Sequence, residues 1–291
     1  MKNLFIVDFT NIFIIYSSKI AKSENILPFV INYLQNLSNN LNNNFIFIYD
    51  GKPIQKLKIY PRYKQNRIKI ENQKFQFIFE TKKLFIEFLK KIGINYLFFN
   101  DLEADDLIAY CTHSLSNYKI SIISNDYDFV QLVKPNTKLI TRNFIFGLNQ
   151  ETDRFYLSQR FLKSIGYLYP GNCFQIFKIL NGDKSDNISS CLIPYRKSKI
   201  LQEIFSEKNK NILLEFNQIN DFNFDDFKTF IKKLNIQNLI NLDSAELNYK
   251  LLSLSFNNIK NYVNNINLNK YIISSIDLNS KILTKNLLWK I

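Results

Sequence analysis

A chain of 291 residues, 46% hydrophobic and 22% charged, is long enough to bury a large core and has ordinary globular composition. Its 38 Lys and Arg against 25 Asp and Glu give a formal net charge of +13 and a pI near 9.4, which favours an anionic partner such as nucleic acid. The absence of any apolar run of about 18 residues excludes a transmembrane helix, so no membrane partner is expected. One histidine, His113, and three cysteines without metal-type spacing, Cys111, Cys173 and Cys191, argue against Cys/His metal ligation and against Ser-His or Cys-His nucleophiles. His113 is expected on a helix surface. The apolar N-terminus is broken by Asp8 and followed by no small-residue cleavage site, so a reduced, cytoplasmic setting is expected.

Leu4–Val7 is a short apolar, β-branched run that ends at Asp8. Leu27–Leu41 carries apolar residues near helical spacing, and Phe45–Tyr49 is a second buried-strand candidate that ends at Asp50. A basic stretch follows from Lys52 to Lys74. Phe75–Ile92 reads as a helix with Gly93 as its stop. Tyr96–Phe99 is a third strand candidate. It leads into Asp101-Leu102-Glu103-Ala104-Asp105-Asp106, where Asp101 is expected to be a helix cap. Ile120–Ile123 is a fourth strand, followed by Ser124-Asn125-Asp126-Tyr127-Asp128, and Lys138–Thr141 is a fifth candidate. Beyond about residue 155 the strand runs stop, and Phe174–Leu180, Lys197–Phe205, Phe224–Leu234 and Leu247–Val263 read as helices.

Alternating strands and helices, with near-continuously apolar strands, predict an α/β fold with a mostly parallel central sheet flanked by helices. A catalytic core over 1–155 and a smaller helical C-terminal lobe over 156–291 are expected. In open α/β sheets the ligand crevice lies at the carboxyl ends of the strands. Asp8, Asp50, Glu103, Asp105, Asp106, Asp126 and Asp128 should therefore converge there, joined by Asp183 and Asp186 of the loop Asn181–Asn187. Each acidic piece alone also fits a helix start or a turn. Together they place nine carboxylates in one cleft, which calls for hard divalent cations with oxygen ligands. Helical spacing would put Glu103 and Asp106 on one side and Asp105 elsewhere. With those nine set aside, the remaining surface is far more basic than the net charge indicates. A basic body suits a phosphate backbone, and a two-metal cleft suits in-line phosphodiester hydrolysis.

The stretch Lys52–Lys74 contains Lys52, Lys56, Lys58, Arg62, Lys64, Arg67, Lys69 and Lys74, with Tyr60 and Tyr63 between them. It should rise from the cleft rim, where cations meet phosphates and tyrosines stack on bases, although a solvated lysine-rich loop fits the composition too.

In their order, Val7-Asp8, Tyr49-Asp50-Gly51-Lys52, Tyr63-Lys64-Gln65-Asn66-Arg67, Leu102-Glu103-Ala104-Asp105-Asp106, Ser124–Asp128 and Gly182-Asp183-Lys184-Ser185-Asp186-Asn187-Ile188 resemble the 5′ nuclease (flap endonuclease) family. The nearest resemblance is to the 5′→3′ exonuclease domain of bacterial DNA polymerase I. It covers roughly residues 1–265. It implies a PIN-like 5′ nuclease core with a helical arch at about 52–80. It also implies a structure-selective 5′→3′ exonuclease and flap endonuclease that uses Mg²⁺ or Mn²⁺, as two ions. One ion would lie among Asp8, Asp50, Glu103, Asp105, Asp106 and Asp126, the other among Asp128, Asp183 and Asp186. Lys64 and Arg67 would stabilise the scissile phosphate, with Asp126 and Asp183 counted among the catalytic groups. Tyr63, Lys64, Arg67, Lys197 and Lys199 would bind DNA that has free 5′ ends or 5′ flaps.

Phe9 stands where the family has Gly and Ile15 where it has a basic residue. The segment after Asn187, within a hairpin region at about 183–206, lacks the family's glycines, which puts duplex grip and a monovalent cation there in doubt. The chain ends at Ile291 without room for a polymerase. A stand-alone monomer is expected, acting beside a separate polymerase and ligase in primer removal and repair. A catalytically weakened junction-binding protein, and a Mg²⁺-dependent phosphatase or RNA-directed nuclease, are the rival readings.

Overall fold

The computed structural model describes residues 1–12, 36, 43–67, 83, 86–87, 89–142, 145–147, 169–193, 196–260, 263 and 266–286. The predicted strands at Leu4–Val7, Phe45–Tyr49, Ile120–Ile123 and Lys138–Thr141 form as β1 (Asn3–Asp8), β2 (Asn43–Ile48), β3 (Lys119–Ile123) and β4 (Thr137–Ile140). All four are parallel. Two short antiparallel strands, β5 (Ile145–Phe146) and β6 (Ile273–Ser274), complete a six-stranded sheet in the order β5-β4-β3-β1-β2-β6.

Register places the chemistry. Ile6 lies opposite both Ile46 and Ile122, and Asp8 lies opposite Ile48. Parallel strands in step finish together, so Asp8, Asp50 and the turn after β3 reach one edge of the sheet. Side chains alternate along β1. Leu4 and Ile6 enter a large cluster with the C-terminal helices, while Val7 packs with Phe9, Phe45, Phe47 and Tyr49 on the other face. Phe9, standing where a glycine was expected, is fully buried there.

Three expectations are corrected. Tyr96–Phe99 makes a single parallel bridge, Ile48 with Leu97, rather than a strand. β6 pairs with Asn44 and Phe45 of that same edge, which leaves the segment only the last turn of β2. The bridge still delivers the Asp101–Asp106 run to the cleft. Strands do not stop at residue 155, because β6 returns the late part of the chain to the sheet. The helix predicted over Leu247–Val263 is two, Leu242–Leu252 and Phe256–Ile259. Gln131 explains the break, since its side-chain amide donates to the Leu252 carbonyl and accepts from the Leu254 N–H, replacing the helical ladder.

Among the described residues the helices that matter for the site are α1 (Ile54–Ile59), α2 (Ala104–Ser114) and α3 (Asn172–Asn181). The predicted helices at 197–205 and 224–234 form as Lys197–Ile204 and Phe224–Lys233. Gly93 terminates its helix as expected, with φ +70° and its N–H donated to Lys90. Most of the helix before it, most of Leu27–Leu41, Ile15, Lys69 and Lys74 lie outside the described residues. His113 is not a surface group: one ring nitrogen meets the Leu254 carbonyl at 3.0 Å, and the ring packs on Phe256. Burial holds its pKa at about 4, so it is a neutral pin between α2 and the helices beyond it. Among the described residues no helix is long and apolar enough to cross a membrane.

Candidate active site

Eight of the nine predicted carboxylates line one cleft of about 240 Å³: Asp8, Asp50, Glu103, Asp105, Asp126, Asp128, Asp183 and Asp186. Lys64 and Arg67 line it too. Local backbone chemistry sets each position. Asp8 is buried, with Oδ1 accepting from the Asn11 N–H at 3.1 Å and Oδ2 from the Ser124 hydroxyl at 2.7 Å. Asp126 accepts from the Asp128 N–H at 2.8 Å, which caps the 3-10 turn Tyr127–Leu132. Asp183 caps the next such turn, Lys184–Asp186, by accepting from the N–H and hydroxyl of Ser185.

Two glycines let the backbone close around these acids. At Gly51 a Cβ would stand 2.0 Å from the Phe99 carbonyl oxygen. At Gly182, with φ +67°, it would stand 2.5 Å from that of Ser189. Neither site admits a side chain.

The acidic run at 101–106 divides its labour. Asp101 is not the helix cap; it accepts from the Gln55 side chain at 2.8 Å. The cap position of α2 is Glu103, in extended backbone (ψ 156°), and the Ala104 N–H, which lacks a helical partner at this end, is satisfied by Asp50 Oδ1 at 2.9 Å. Glu103 and Asp106 do share a side, and they share a partner. The buried Lys56 of α1 reaches Glu103 at 2.8 Å and Asp106 at 3.2 Å. Asp106, expected in the metal set, does not line the cleft but pairs with Lys56, and burial outweighs that lysine to raise its pKa; Asp105 lines the cleft.

The basic stretch is docked on the acids. Lys64 pairs with Glu103, and Arg67 with Asp186. The Lys64 N–H donates to the Asp186 carbonyl at 2.9 Å, and this holds Lys64 at φ +56°. Asn66 and Asn187 add bonds to the Lys184 and Arg62 carbonyls. Tyr63 departs from expectation. Its ring is buried with Ile188, Leu251 and Leu252, and its hydroxyl bridges Glu103 at 3.0 Å and Asp186 at 3.1 Å. A ring held there by packing and two hydrogen bonds is not presented for base stacking.

A residue not singled out in the sequence closes the other flank. Lys178 of α3 is buried and spans Asp128 at 2.7 Å and Asp183 at 2.6 Å. Its one visible signal is a lone lysine within the apolar run Phe174–Leu180. Lys197 is partly buried with its ammonium on the Asn181 carbonyl at 2.9 Å, so it caps α3 rather than facing solvent phosphates; Lys199 is exposed. The glycine-free segment Ile188–Leu192 is tied down internally: the Asn248 amide donates to the Ser189 carbonyl at 2.9 Å, and the Ser190 hydroxyl donates to the Leu180 carbonyl of α3 at 2.7 Å.

Proton affinities reflect this division. Burial lifts Asp8 to about 7 and, with Asp128 alongside, Asp126 to about 6; Asp105 is raised by burial and by Asp126. Burial acts on Glu103 too, but Lys56 and Lys64 outweigh it and hold the carboxyl at about 2. Asp183 is depressed, because Lys178 outweighs its burial. Among the described residues no three acids already stand as ligands of a single ion. Lysine and arginine partners occupy several of their oxygens instead. The donor set of closely spaced carboxylates, several with proton affinity raised by burial and by one another, fits hard divalent cations.

A family model described as the 5′-3′ exonuclease N-terminal, resolvase-like domain matches residues 10–165, more than half of the chain. A curated 5′-3′ exonuclease from Buchnera aphidicola is 30% identical over 210 residues, covering 71% of this chain and 67% of that protein. DNA polymerase I of Lactococcus lactis is 27% identical over 167 residues, covering 55% of this chain and 18% of the polymerase. Among solved structures, a bacteriophage T5 flap endonuclease complex with DNA and metal ions shares the fold. The TM-score is 0.63 at 18% identity, covering 97% of this chain and 98% of that one. By the family model and its curated relative, this chain belongs to the 5′-3′ exonuclease family of nucleases.

Proposed function

We propose that the protein is a divalent-metal-dependent, structure-selective 5′→3′ exonuclease and flap endonuclease acting on DNA near free 5′ ends. The observation that carries this reading is the single cleft in which eight carboxylates meet Lys64 and Arg67. Asp8, Asp50, Glu103, Asp105 and Asp126 would hold one Mg²⁺ or Mn²⁺ ion, and Asp128, Asp183 and Asp186 a second; Asp106 is not among them. Ions held by these residues would supply a water of lowered pKa as nucleophile and positive charge at the departing oxygen of an in-line displacement.

The chain's own groups supply the rest. Lys64 and Arg67 offer the phosphate two charge-assisted donors at the rim, the arrangement that stabilises charge developing in a transition state. Ser124 and Asn11 hold both oxygens of Asp8, and Asn125 takes the Arg142 N–H at 2.7 Å, so the floor of the cleft is fixed. The net charge of +13, set against an acidic cleft, leaves a basic exterior for the phosphate backbone. A catalytic core over about 1–155, a basic arch at about 52–80 and a helical lobe over 156–291 remain our reading of the domains. Work as a cytoplasmic monomer beside a polymerase and a ligase, in primer removal and repair, is proposed with them.

Labelled 5′-flap DNA, 5′-recessed duplex and matched RNA, each with Mg²⁺ or EDTA, test the reading. Flap or 5′-end cleavage of DNA that stops with EDTA and in Asp126→Asn supports it. Metal-independent binding without cleavage, or preferential turnover of RNA, overturns it.

A further inference from the structure

Glu103 is addressed by two lysines, one on each oxygen. Oε2 accepts from Lys56 Nζ at 2.8 Å and from the Tyr63 hydroxyl at 3.0 Å. Oε1 meets Lys64 Nζ. The two lysines differ in every other respect. The Lys56 side chain is 6% exposed, comes from helix α1 beneath the acids, and is anchored a second time by Asp106 at 3.2 Å. The Lys64 side chain is 17% exposed, lines the cleft, and among the described residues has no second carboxylate closer than Asp186 at 3.9 Å. One ammonium is locked inside the protein and the other stands where an incoming cation would have to stand.

We infer that Lys56 is a positioning residue for metal binding: it pins one oxygen of Glu103 so that the other alone faces the cleft, where Lys64 holds it until an ion displaces the ammonium. The inference rests on the reading that Glu103 is a metal ligand. It assigns Asp106 a separate duty, to neutralise and anchor Lys56. Partners behind a ligating carboxylate fix its orientation, and losing one typically costs about 10- to 100-fold in metal affinity. A flexible ammonium on the open oxygen has the opposite effect, since it must leave before a metal ion can bind.

The sign of the effect separates this from ordinary electrostatics. Both lysines place one positive charge on the same carboxylate, so removing either would tighten cation binding if charge alone mattered. Calorimetric titration with Mn²⁺ in the absence of DNA reads the difference, with circular dichroism to verify folding. Lys64→Met should tighten binding by about two- to fivefold. Lys56→Met should weaken it by about tenfold, and Lys56→Arg should stay near wild type. Because Lys56→Met leaves Asp106 buried without a partner, Lys56→Met/Asp106→Asn is the second variant. It removes one charge of each sign and should still bind about tenfold more weakly. If Lys56→Met and the double variant bind Mn²⁺ as well as or better than wild type, the positioning role is overturned. If the wild-type protein binds no Mn²⁺ at all, the metal reading of the cleft fails, and this inference with it.

Discussion

The two flanks of the cleft solve the same electrostatic problem differently. On the inner flank Asp8, Asp105 and Asp126 have burial and each other as neighbours, and all three hold their protons more tightly than free carboxylates do. On the outer flank Asp183 is held below its usual range by Lys178, which also spans Asp128. A carboxylate cluster can be neutralised by protons, by built-in cations or by bound metal. Among the described residues no lysine or arginine is ion-paired with Asp8, Asp105 or Asp126. Lys56, Lys64 and Lys178 act on Asp105 and Asp126 only from a distance and do not offset burial, so the inner flank leans on protons or on an ion from outside. The outer flank carries its own cation and holds together without one.

The largest effect expected from this contrast is on activity. Asp126→Asn should lower kcat/KM on a 5′-flap substrate by about three orders of magnitude, the scale of losing a central charge-stabilising group. Asp183→Asn, with Lys178 still present beside Asp128, should cost less, about 10²-fold. Equal losses in the two variants, measured at saturating Mg²⁺, would erase the distinction between the flanks.

The next effect is on stability against pH. The folded-state values of Asp8, about 7, and Asp126, about 6, lie above the unfolded value near 4. Between those limits the folded protein keeps protons that the unfolded chain releases, so metal-free stability should fall as pH rises from about 4 to about 7, by a few kcal/mol. Glu103, held at about 2, works the other way: its contribution is present above about 4.5 and is lost as pH falls toward 2. Scanning calorimetry in EDTA should therefore give a lower Tm at pH 8 than at pH 5, and Mg²⁺ should raise Tm more at pH 8. A metal-free Tm that climbs from pH 5 to pH 8 contradicts the inner-flank assignment.

How much of this was visible in the sequence varies by residue, for a physical reason. Asp8 and Asp126 follow buried apolar runs, and a parallel sheet carries such residues to one edge, so their convergence was legible. Lys56 and Lys178 were not singled out for their partners. Each sits in a short helix of a lysine-rich chain, and the Lys56–Glu103 contact joins positions 47 apart, which no local pattern records. In the sequence Tyr63 lies among lysines and arginines of the basic stretch, a setting that suits a stacking ring. Its burial depends on Ile188, Leu251 and Leu252, which come from distant segments. The same holds for the helix broken at Ser253–Ser255, where the deciding group is Gln131 from across the core.

Lys178 allows a more direct test of the outer flank. Lys178→Met leaves Asp128 and Asp183, whose side chains are 26% and 19% exposed, facing one another without their shared cation. Because both acids reach solvent, the loss should be modest, about 1–2 kcal/mol by urea denaturation in EDTA. Saturating Mg²⁺ should recover most of it by supplying the missing charge. If Mg²⁺ gives the variant no more stability than it gives wild type, the lysine is not standing where a cation is needed.

The smallest effect separates two neighbouring lysines that the sequence treated alike. Lys197 donates to the Asn181 carbonyl and so satisfies the end of α3, directly before Gly182 and Asp183. Lys199 is exposed two residues on. Lys197→Met should cost about 0.5–1 kcal/mol of stability while leaving the salt dependence of DNA binding unchanged. Lys199→Ala should leave stability unchanged and, if that helix lies against the duplex, lower the slope of log K against log salt by about one. Fluorescence anisotropy with a duplex bearing a 5′ flap, in Ca²⁺ to hold back cleavage, measures both slopes. A reduced slope for Lys197→Met would mean that its ammonium leaves the helix end to meet a phosphate. The cap at Asn181 would then be a resting contact, and the outer flank, fixed by Lys178 at one point, would be movable at the next.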